Sequence, residues 1–160
     1  MSRREQAYEY IKKEIVTGKL KGGTPILELE LSESLKMSRT PIREALKELE
    51  AEGAVVSYAS RGTFVTELTP YDVEDIFNLR ILMEIWSLER GIKRITKEEL
   101  DVVEKHLLEA EQSGIWDEDY RADVEFHSLI VEKSGSKRLI GFMQILYKQI
   151  ERSRRPSGLR

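Results

Sequence analysis

The run from Ser38 to Leu46 constrains the fold of this chain more than any other segment. Ser38 is suited to the N-cap of a helix, and Pro41 then falls in the first turn, where backbone N–H groups lack partners within the helix. Apolar side chains follow at helical spacing, and they are Ile42, Ala45, Leu46 and Leu49. These signals predict an amphipathic helix with a buried apolar stripe.

The N-terminal end of this helix is polar and basic. Arg39, Thr40 and Arg43 cluster within about one and a half turns of its positive end. Basic groups at the start of a helix with an apolar back suit insertion into the major groove of DNA. An ordinary amphipathic surface helix is the alternative, and the flanking segments decide between the two.

Upstream, the sequence predicts two more helices separated by a loop. The first ends near Gly18, and its apolar stripe consists of Ala7, Tyr8, Ile11, Ile15 and Val16. Residues 19–25 are dense in chain breakers and predict a loop. A short helix follows over about residues 28–35, and its apolar residues are Leu29, Leu31 and Leu35. With the helix after Ser38 it forms a helix-turn-helix.

Downstream, the sequence predicts a β-hairpin. Two β-prone segments, residues 55–58 and 63–66, flank a turn whose tip holds Arg61 and Gly62. Three helices followed by a hairpin describe a winged helix-turn-helix over residues 1–66.

After a linker at residues 67–69, the rest of the chain is predicted to be helical. Thr69 and Pro70 form a helix start, and a capping box begins at Thr96. The predicted helices cover roughly residues 70–93, 96–113, 117–134 and 137–155, and Pro156 ends the last. Residues 70–160 are therefore predicted to form an all-helical antiparallel bundle with short connections, which makes the fold mainly α.

Composition limits the class of protein. Charged residues make up 34% of the 160 residues and hydrophobic residues 40%, which is typical of a soluble globular chain. No apolar run approaches the roughly 20 residues that span a bilayer, and the N-terminus lacks a signal-peptide core, so no membrane partner is expected. The chain has no cysteine, which excludes disulfides and thiolate metal sites and favours a cytoplasmic location.

The charge balance gives DNA binding no general support. Residues 1–66 hold 11 Lys or Arg and 10 Asp or Glu, whereas residues 67–160 hold 15 and 19. DNA binding must therefore depend on a local basic patch. The candidates are Arg3, Arg4, Lys12, Lys13, Arg39, Arg43 and Arg61.

Residues 7–66 resemble the DNA-binding domain of the GntR family of bacterial transcription regulators. The matching motifs are Leu31-Ser32-Glu33, residues 38–46, Leu49-Glu50-Ala51-Glu52-Gly53 and Arg61-Gly62-Thr63-Phe64-Val65. The resemblance implies contacts with a double-stranded operator, and the residues concerned are Ser38, Arg39, Thr40, Pro41, Arg43, Arg61, Gly62 and Thr63. Because one recognition helix reads one half-site, a homodimer on a palindromic operator is expected.

One residue departs from the pattern of that domain. Lys36 stands where the family usually has Gly, in the turn between the second and third helices. A left-handed conformation at Lys36 would be strained by about 1 kcal/mol, which a folded domain tolerates.

Within the second half, Asp123 and His127 stand at i and i+4 on one face of a predicted helix. Side chains at this spacing can hold a metal together or form a simple hydrogen bond. The segment from Asp123 to His127, followed by Ser134-Gly135-Ser136, resembles the signature of the FadR-type C-terminal (FCD) ligand domain. Arg80, four residues before Glu84, matches an arginine that faces the ligand cavity of such domains. The resemblance implies a divalent metal, zinc or nickel, and a small carboxylate effector bound by Arg80.

The histidine count departs from the FCD pattern. The resemblance implies one Asp and three His ligands, but His106 and His127 are the only histidines in the chain. His106 is expected to be an ordinary surface or partly buried histidine. Two protein ligands leave a metal site weak. The sensor is therefore expected to be shortened, degenerate or completed by a partner subunit.

Three functions are compatible with these patterns. The favoured one is a homodimeric DNA-binding transcription regulator that responds to a small organic acid. A ligand-independent repressor with a degenerate sensor is the alternative, and a metal-dependent enzyme using Asp123, His127 and Arg80 is the third. No nucleophile–base arrangement or phosphate loop supports catalysis, so an enzyme is not expected. A winged helix that binds only proteins would not need Arg39 and Arg43 at the helix start.

Overall fold

The structure is a computed structural model that describes residues 1–154. The described residues divide into two compact units, the first formed by residues 1–73 together with residues 148–154, and the second by residues 74–147. Among residues 1–154, the structure contains no helix with the length and apolar character needed to cross a membrane.

The first unit is a winged helix-turn-helix. Its elements are α1 (Arg3–Val16), β1 (Pro25–Ile26), α2 (Glu28–Leu35), α3 (Arg39–Ala51), β2 (Val55–Tyr58) and β3 (Gly62–Val65). The three predicted helices and the hairpin are confirmed. Strand β1, which extends into the predicted loop at residues 19–25, pairs antiparallel with β3 and gives the sheet order β1-β3-β2. A two-residue edge strand that contains Pro25 is too short to show an alternating pattern in the sequence.

The predicted stripes of the first and third helices form the core of this unit. Its fully buried side chains are Ala7, Ile11, Ile42, Ala45 and Leu49. Leu31 of α2 is buried with them, whereas Leu29 is exposed. Burying each large aliphatic side chain contributes roughly 1.5–3 kcal/mol, so this core holds α3 by its apolar side and leaves its polar side in solvent.

The turn between α2 and α3 has the strained geometry predicted for it. Lys36 adopts φ 49° and ψ 48°, the left-handed conformation in which the family usually has Gly. It is the one non-glycine residue with positive φ among residues 1–154. The turn therefore takes the left-handed conformation despite the Lys36 side chain, at a cost of about 1 kcal/mol.

The remaining elements are helical. They are α4 (Pro70–Gly91), a 3₁₀ turn (Ile92–Arg94), α5 (Lys97–Ser113), α6 (Trp116–Lys133) and α7 (Lys137–Arg154). The predicted helix starts are confirmed: Thr96 and Glu99 form a capping box, and Thr69 and Asp72 exchange equivalent bonds at the start of α4. The predicted ends agree within two residues for α4, α5 and α6, and Pro156 lies outside the described residues.

Helices α5 and α6 form an antiparallel pair, as predicted. Lys133, the last residue of α6, forms an ion pair with Glu99 in the first turn of α5. Near the middle of both helices, His106 Nδ1 lies 2.8 Å from Glu125 Oε2. The two-residue connection between these helices permits only this arrangement.

Helices α4 and α6 run in the same direction, which the prediction of an antiparallel bundle did not specify. Arg80 of α4 faces Asp123 of α6, and one turn further along both helices Glu84 faces His127. Helix α5 follows α4 in the chain and runs in the opposite direction, so that α6 can lie parallel to α4 as its neighbour. This pairing brings the predicted ligand residues together.

Candidate functional site

The start of α3 presents its predicted contact residues to solvent. Arg39, Thr40 and Arg43 are exposed, and no acidic residue lies in the first turn of this helix. The partial positive charge of the helix N-terminus therefore adds to the charges of the two arginines. The whole helix start is suited to an anion.

Arg43 has one partner within the unit. Its Nε donates a hydrogen bond to Oε2 of Glu28 on α2 at 2.8 Å, while 59% of the Arg43 side chain stays exposed. An ion pair this exposed contributes about 1 kcal/mol or less to stability. A phosphate or a base edge can therefore replace Glu28 at low cost.

Ser38 occupies the predicted N-cap position, but its hydroxyl does not cap. The residue is extended, with φ −66° and ψ 164°, and its side chain makes no capping hydrogen bond. An N-cap hydroxyl normally accepts from the second or third residue of the helix. Here the third residue is Pro41, which has no N–H. The Ser38 hydroxyl is exposed at the helix start as a result.

The hairpin tip carries a single cation beside an aromatic ring. Arg61 is exposed, and its guanidinium carbon lies 6.0 Å from the centroid of the Tyr58 ring. Gly62 is also exposed and has φ +89°, a conformation that other residues rarely adopt. Thr63 is half-buried, with Oγ1 3.1 Å from Ser57 Oγ. The tip is thus a tight turn that projects one positive charge.

In the second unit, Arg80, Asp123 and His127 come together with Glu84. Arg80 Nε donates to Glu84 Oε1 at 2.9 Å, and His127 Nδ1 lies 2.8 Å from the same oxygen. On the other side of the cluster, Asp123 Oδ2 lies 3.5 Å from Arg80 Nη1 and Asp123 Oδ1 lies 3.6 Å from His127 Nε2. The four side chains form one charged cluster between α4 and α6, called the Arg80 cluster below.

This cluster contains buried polar atoms that the protein does not satisfy. Arg80 is 6% exposed. Its Nη1, His127 Nδ1 and the Tyr147 hydroxyl are buried and have no hydrogen-bond partner within residues 1–154. The Nδ1 of His127 is close to Glu84 without the alignment that a hydrogen bond requires. Buried unsatisfied groups cost about 1–3 kcal/mol each, so three near one cluster suggest a polar ligand.

The pKa shifts of His127 and of Tyr147, which lies beside the Arg80 cluster, differ in their consequences. Burial alone would lower the pKa of His127, but its contacts with Asp123 and Glu84 outweigh burial and raise that pKa above its ordinary value. Burial, followed by the charge of Glu84, raises the pKa of Tyr147 well above its ordinary range. Tyr147 therefore stays a neutral hydroxyl, whereas His127 can carry a second positive charge near neutral pH.

The residues of the Arg80 cluster do not make up a metal site. Asp123 and His127 are close together, but residues 1–154 contain no group of three or more His, Cys, Asp or Glu side chains that could hold a metal. Stable sites generally use at least three ligands, and both nearby carboxylates already face Arg80. The expected zinc or nickel ion is therefore not supported. His106 lies apart on the surface, paired with Glu125.

Some of these residues were not predicted as site residues. Glu84 could have been found, because it lies one helical turn after Arg80 and can reach it. No sequence pattern identifies Glu28 or Tyr147 as a site residue. Glu28 meets Arg43, which lies 15 positions later in the sequence, and Tyr147 lies near charged residues of other helices.

Comparison with known families matches both halves of the chain. The family model described as bacterial regulatory proteins, gntR family, matches residues 3–65, and the model of the FCD domain matches residues 75–160.

Individual proteins give the same picture. The chain is 36% identical to the HTH-type transcriptional regulator YdhC of Bacillus subtilis (strain 168), over 87% of this chain and 64% of the relative. It is 34% identical to the Nta operon transcriptional regulator of Aminobacter aminovorans, over 82% of this chain and 64% of that protein. The solved structure of E. coli McbR/YncC has a similar fold, with a TM-score of 0.71 at 22% identity, covering 95% of this chain and 73% of that structure. The chain thus spans slightly less than two thirds of the length of these two relatives.

Proposed function

Because the chain belongs to the gntR family of bacterial regulatory proteins and carries an FCD domain, we propose that it regulates transcription by binding a specific DNA operator. The proteins similar to it are named transcriptional regulators and not enzymes. The observation that carries the proposal is the start of α3, where Arg39, Thr40 and Arg43 are exposed on a helix fixed by its apolar side.

In this function the predicted residues have distinct roles. Arg39 is suited to bidentate contact with a guanine in the major groove. Arg43 exchanges Glu28 for a phosphate or a base of the DNA. Three further residues at the helix start lie against the DNA backbone, and they are Ser38, Thr40 and Pro41. The hairpin tip, Arg61 with Gly62 and Thr63, reaches the groove edge.

The DNA-binding domain in this proposal is residues 1–66, the linker residues 67–69 and the effector domain residues 70–160. Helix α4 supports a homodimer, because it exposes large apolar side chains on one face: Leu79, Leu82 and Trp86. Two copies would bring two recognition helices to a palindromic operator in the bacterial cytoplasm.

The Arg80 cluster is the proposed receptor for a small carboxylate effector. Arg80 Nη1 is buried and forms no hydrogen bond, with Asp123 Oδ2 as a carboxylate neighbour at 3.5 Å, and an effector carboxylate would supply the hydrogen-bond acceptor that a guanidinium fits best. The raised pKa of His127 adds positive charge, which offsets the repulsion from Glu84 and Asp123. The Tyr147 hydroxyl provides one more hydrogen bond. No metal is required for this recognition.

The function is tested by selecting operators from a pool of random DNA duplexes with the full chain. We expect a palindromic consensus, bound at least about 10³-fold more tightly than a scrambled duplex at the same salt concentration. A set of small mono- and dicarboxylates is then titrated into the complex to identify an acid that changes the affinity. Equal binding to selected and scrambled duplexes would contradict the proposal.

A further inference from the structure

One arginine outside the predicted DNA contacts joins both ends of the wing, the hairpin formed by β2 and β3. Arg152, near the end of α7, donates from Nη1 to the Gly53 carbonyl at 2.8 Å and from Nη2 to the Thr66 carbonyl at 2.7 Å. Gly53 lies between the end of α3 and the start of β2, and Thr66 directly follows β3. A single guanidinium therefore spans the base of the wing at the end of the recognition helix.

The fit at this junction is close. Gly53 has φ +72°, and a Cβ at this position would lie 2.9 Å from Gln149 Nε2 on α7. Just beside it, the Thr66 N–H donates to the Ala54 carbonyl at 3.0 Å and closes the base of the hairpin. A larger residue at Gly53 would therefore move the end of the Gln149 side chain and would itself be strained by the positive φ at this position.

A buried network fixes α7 at this place. Glu52, the C-cap residue of α3, is 8% exposed, and its two carboxylate oxygens share one bifurcated hydrogen bond from the Tyr8 hydroxyl of α1, at 2.9 and 3.0 Å. Lys148 of α7 forms an ion pair with the same carboxylate and lies 5.7 Å from the centroid of the Tyr8 ring. The ion pair between Lys148 and Glu52 therefore fixes the position of α7 one turn before Arg152.

The planar guanidinium of Arg152 determines both the geometry and the strength of its hydrogen bonds to Gly53 and Thr66. A guanidinium donates two hydrogen bonds in fixed directions, whereas a lysine ammonium is a point donor on a flexible stem. The bonds to Gly53 and Thr66 thus hold two carbonyls at a defined separation. Those carbonyls belong to the two strand ends from which the wing projects.

We propose that Arg152 is a positioning residue for DNA binding, which acts by holding the wing at a fixed orientation to the recognition helix α3. This inference rests on the proposed function. The proposal predicts that Arg152 touches no DNA and contributes to operator affinity only by holding the wing in place.

A double-mutant cycle between Arg152 and Arg61 at the wing tip tests this. Operator affinity is measured by fluorescence anisotropy on the full-length wild-type chain, Arg152→Met, Arg61→Ala and the double variant. We expect Arg152→Met to weaken binding about tenfold in the wild-type background and less than about twofold in the Arg61→Ala background, because coupled residues are not additive. Arg138→Met is the matched control, since it removes an exposed charge from the start of α7, and it should leave affinity unchanged.

Equal losses in both backgrounds, or no loss in either, would overturn the proposal. Circular dichroism confirms that each variant is folded at the temperature of the titration. If Arg152→Met does not fold, the cycle is run with Arg152→Lys, which keeps the charge but loses the fork and should show a smaller loss with the same non-additivity. A wild-type chain that selects no operator would instead contradict the proposed function.

Discussion

The arginines of the two units have the same chemistry but opposite environments. Arg39 and Arg43 at the start of α3 lie in solvent, and Arg43 pairs with the half-buried carboxylate of Glu28. Arg80 in the second unit is buried, with Glu84 and Asp123 around its guanidinium and the Phe77 ring 6.0 Å away. The first arrangement leaves charge available to an external partner, whereas the second balances most of its charge internally.

Because of this difference, the exposed arginines of α3 are expected to affect binding, whereas the buried Arg80 is expected to affect stability. An exposed arginine adds little to the free energy of unfolding, because water and salt screen its interactions. A buried arginine that balances a carboxylate is different, since its removal leaves charge in the protein interior. The surface arginines should therefore be dispensable for folding, and Arg80 should not.

The largest expected effect is the loss of Arg80. Arg80→Met should lower the free energy of unfolding by about 3 kcal/mol, because Glu84 loses its arginine while it stays buried. Urea unfolding followed by circular dichroism measures this value. The matched double variant Arg80→Met/Glu84→Leu removes both charges and should recover part of the loss. A single variant as stable as the wild type would show that the Arg80 cluster is not a buried charge network.

A smaller effect is expected from His127, and it depends on pH. Folding raises the pKa of His127, so its protonated form is favoured in the folded state. The resulting stability is fully present below the ordinary pKa of histidine, near 6.5, and is lost as pH rises through the raised value. His127→Gln should therefore flatten the fall in unfolding free energy as pH rises above about 6.5.

His106→Gln is the control for that experiment, because it removes the other histidine of the chain, which is exposed and paired with Glu125. The unfolding free energy of this variant should still fall as pH rises, because His127 keeps its contacts with Asp123 and Glu84. If instead His127→Gln shows the same fall as the wild type, the contacts of His127 with Asp123 and Glu84 do not favour its protonated form.

The sequence predicted much of the first unit because its signals are local. The stripes of α1 and α3 and the hairpin with Gly62 each follow from residues close together in the chain, whereas the left-handed turn at Lys36 was expected only from the family resemblance. Strand β1 was missed because its pairing with β3 joins residues nearly forty positions apart. The failure of Ser38 to cap was partly readable, since Pro41 removes one of the two N–H groups that an N-cap hydroxyl can bind.

The second unit shows what a sequence pattern leaves open. The spacing of Asp123 and His127 predicted that both lie on one face of a helix, and they do. That spacing alone could not distinguish a metal site from an ion-pair network, because the answer depends on which helix lies opposite. The parallel alignment of α4 and α6 supplies Arg80 and Glu84, and α7 contributes the buried Tyr147.

The measurement that tests the central claim most directly is the operator affinity of Arg39→Ala, with its unfolding free energy determined in the same buffer. The account predicts binding about ten- to a hundredfold weaker than that of the wild type, since an arginine on a guanine contributes about 1–3 kcal/mol of discrimination. It also predicts an unfolding free energy within about 0.5 kcal/mol of the wild-type value. Unchanged operator affinity for both Arg39→Ala and Arg43→Ala would contradict the assignment of α3 to the major groove.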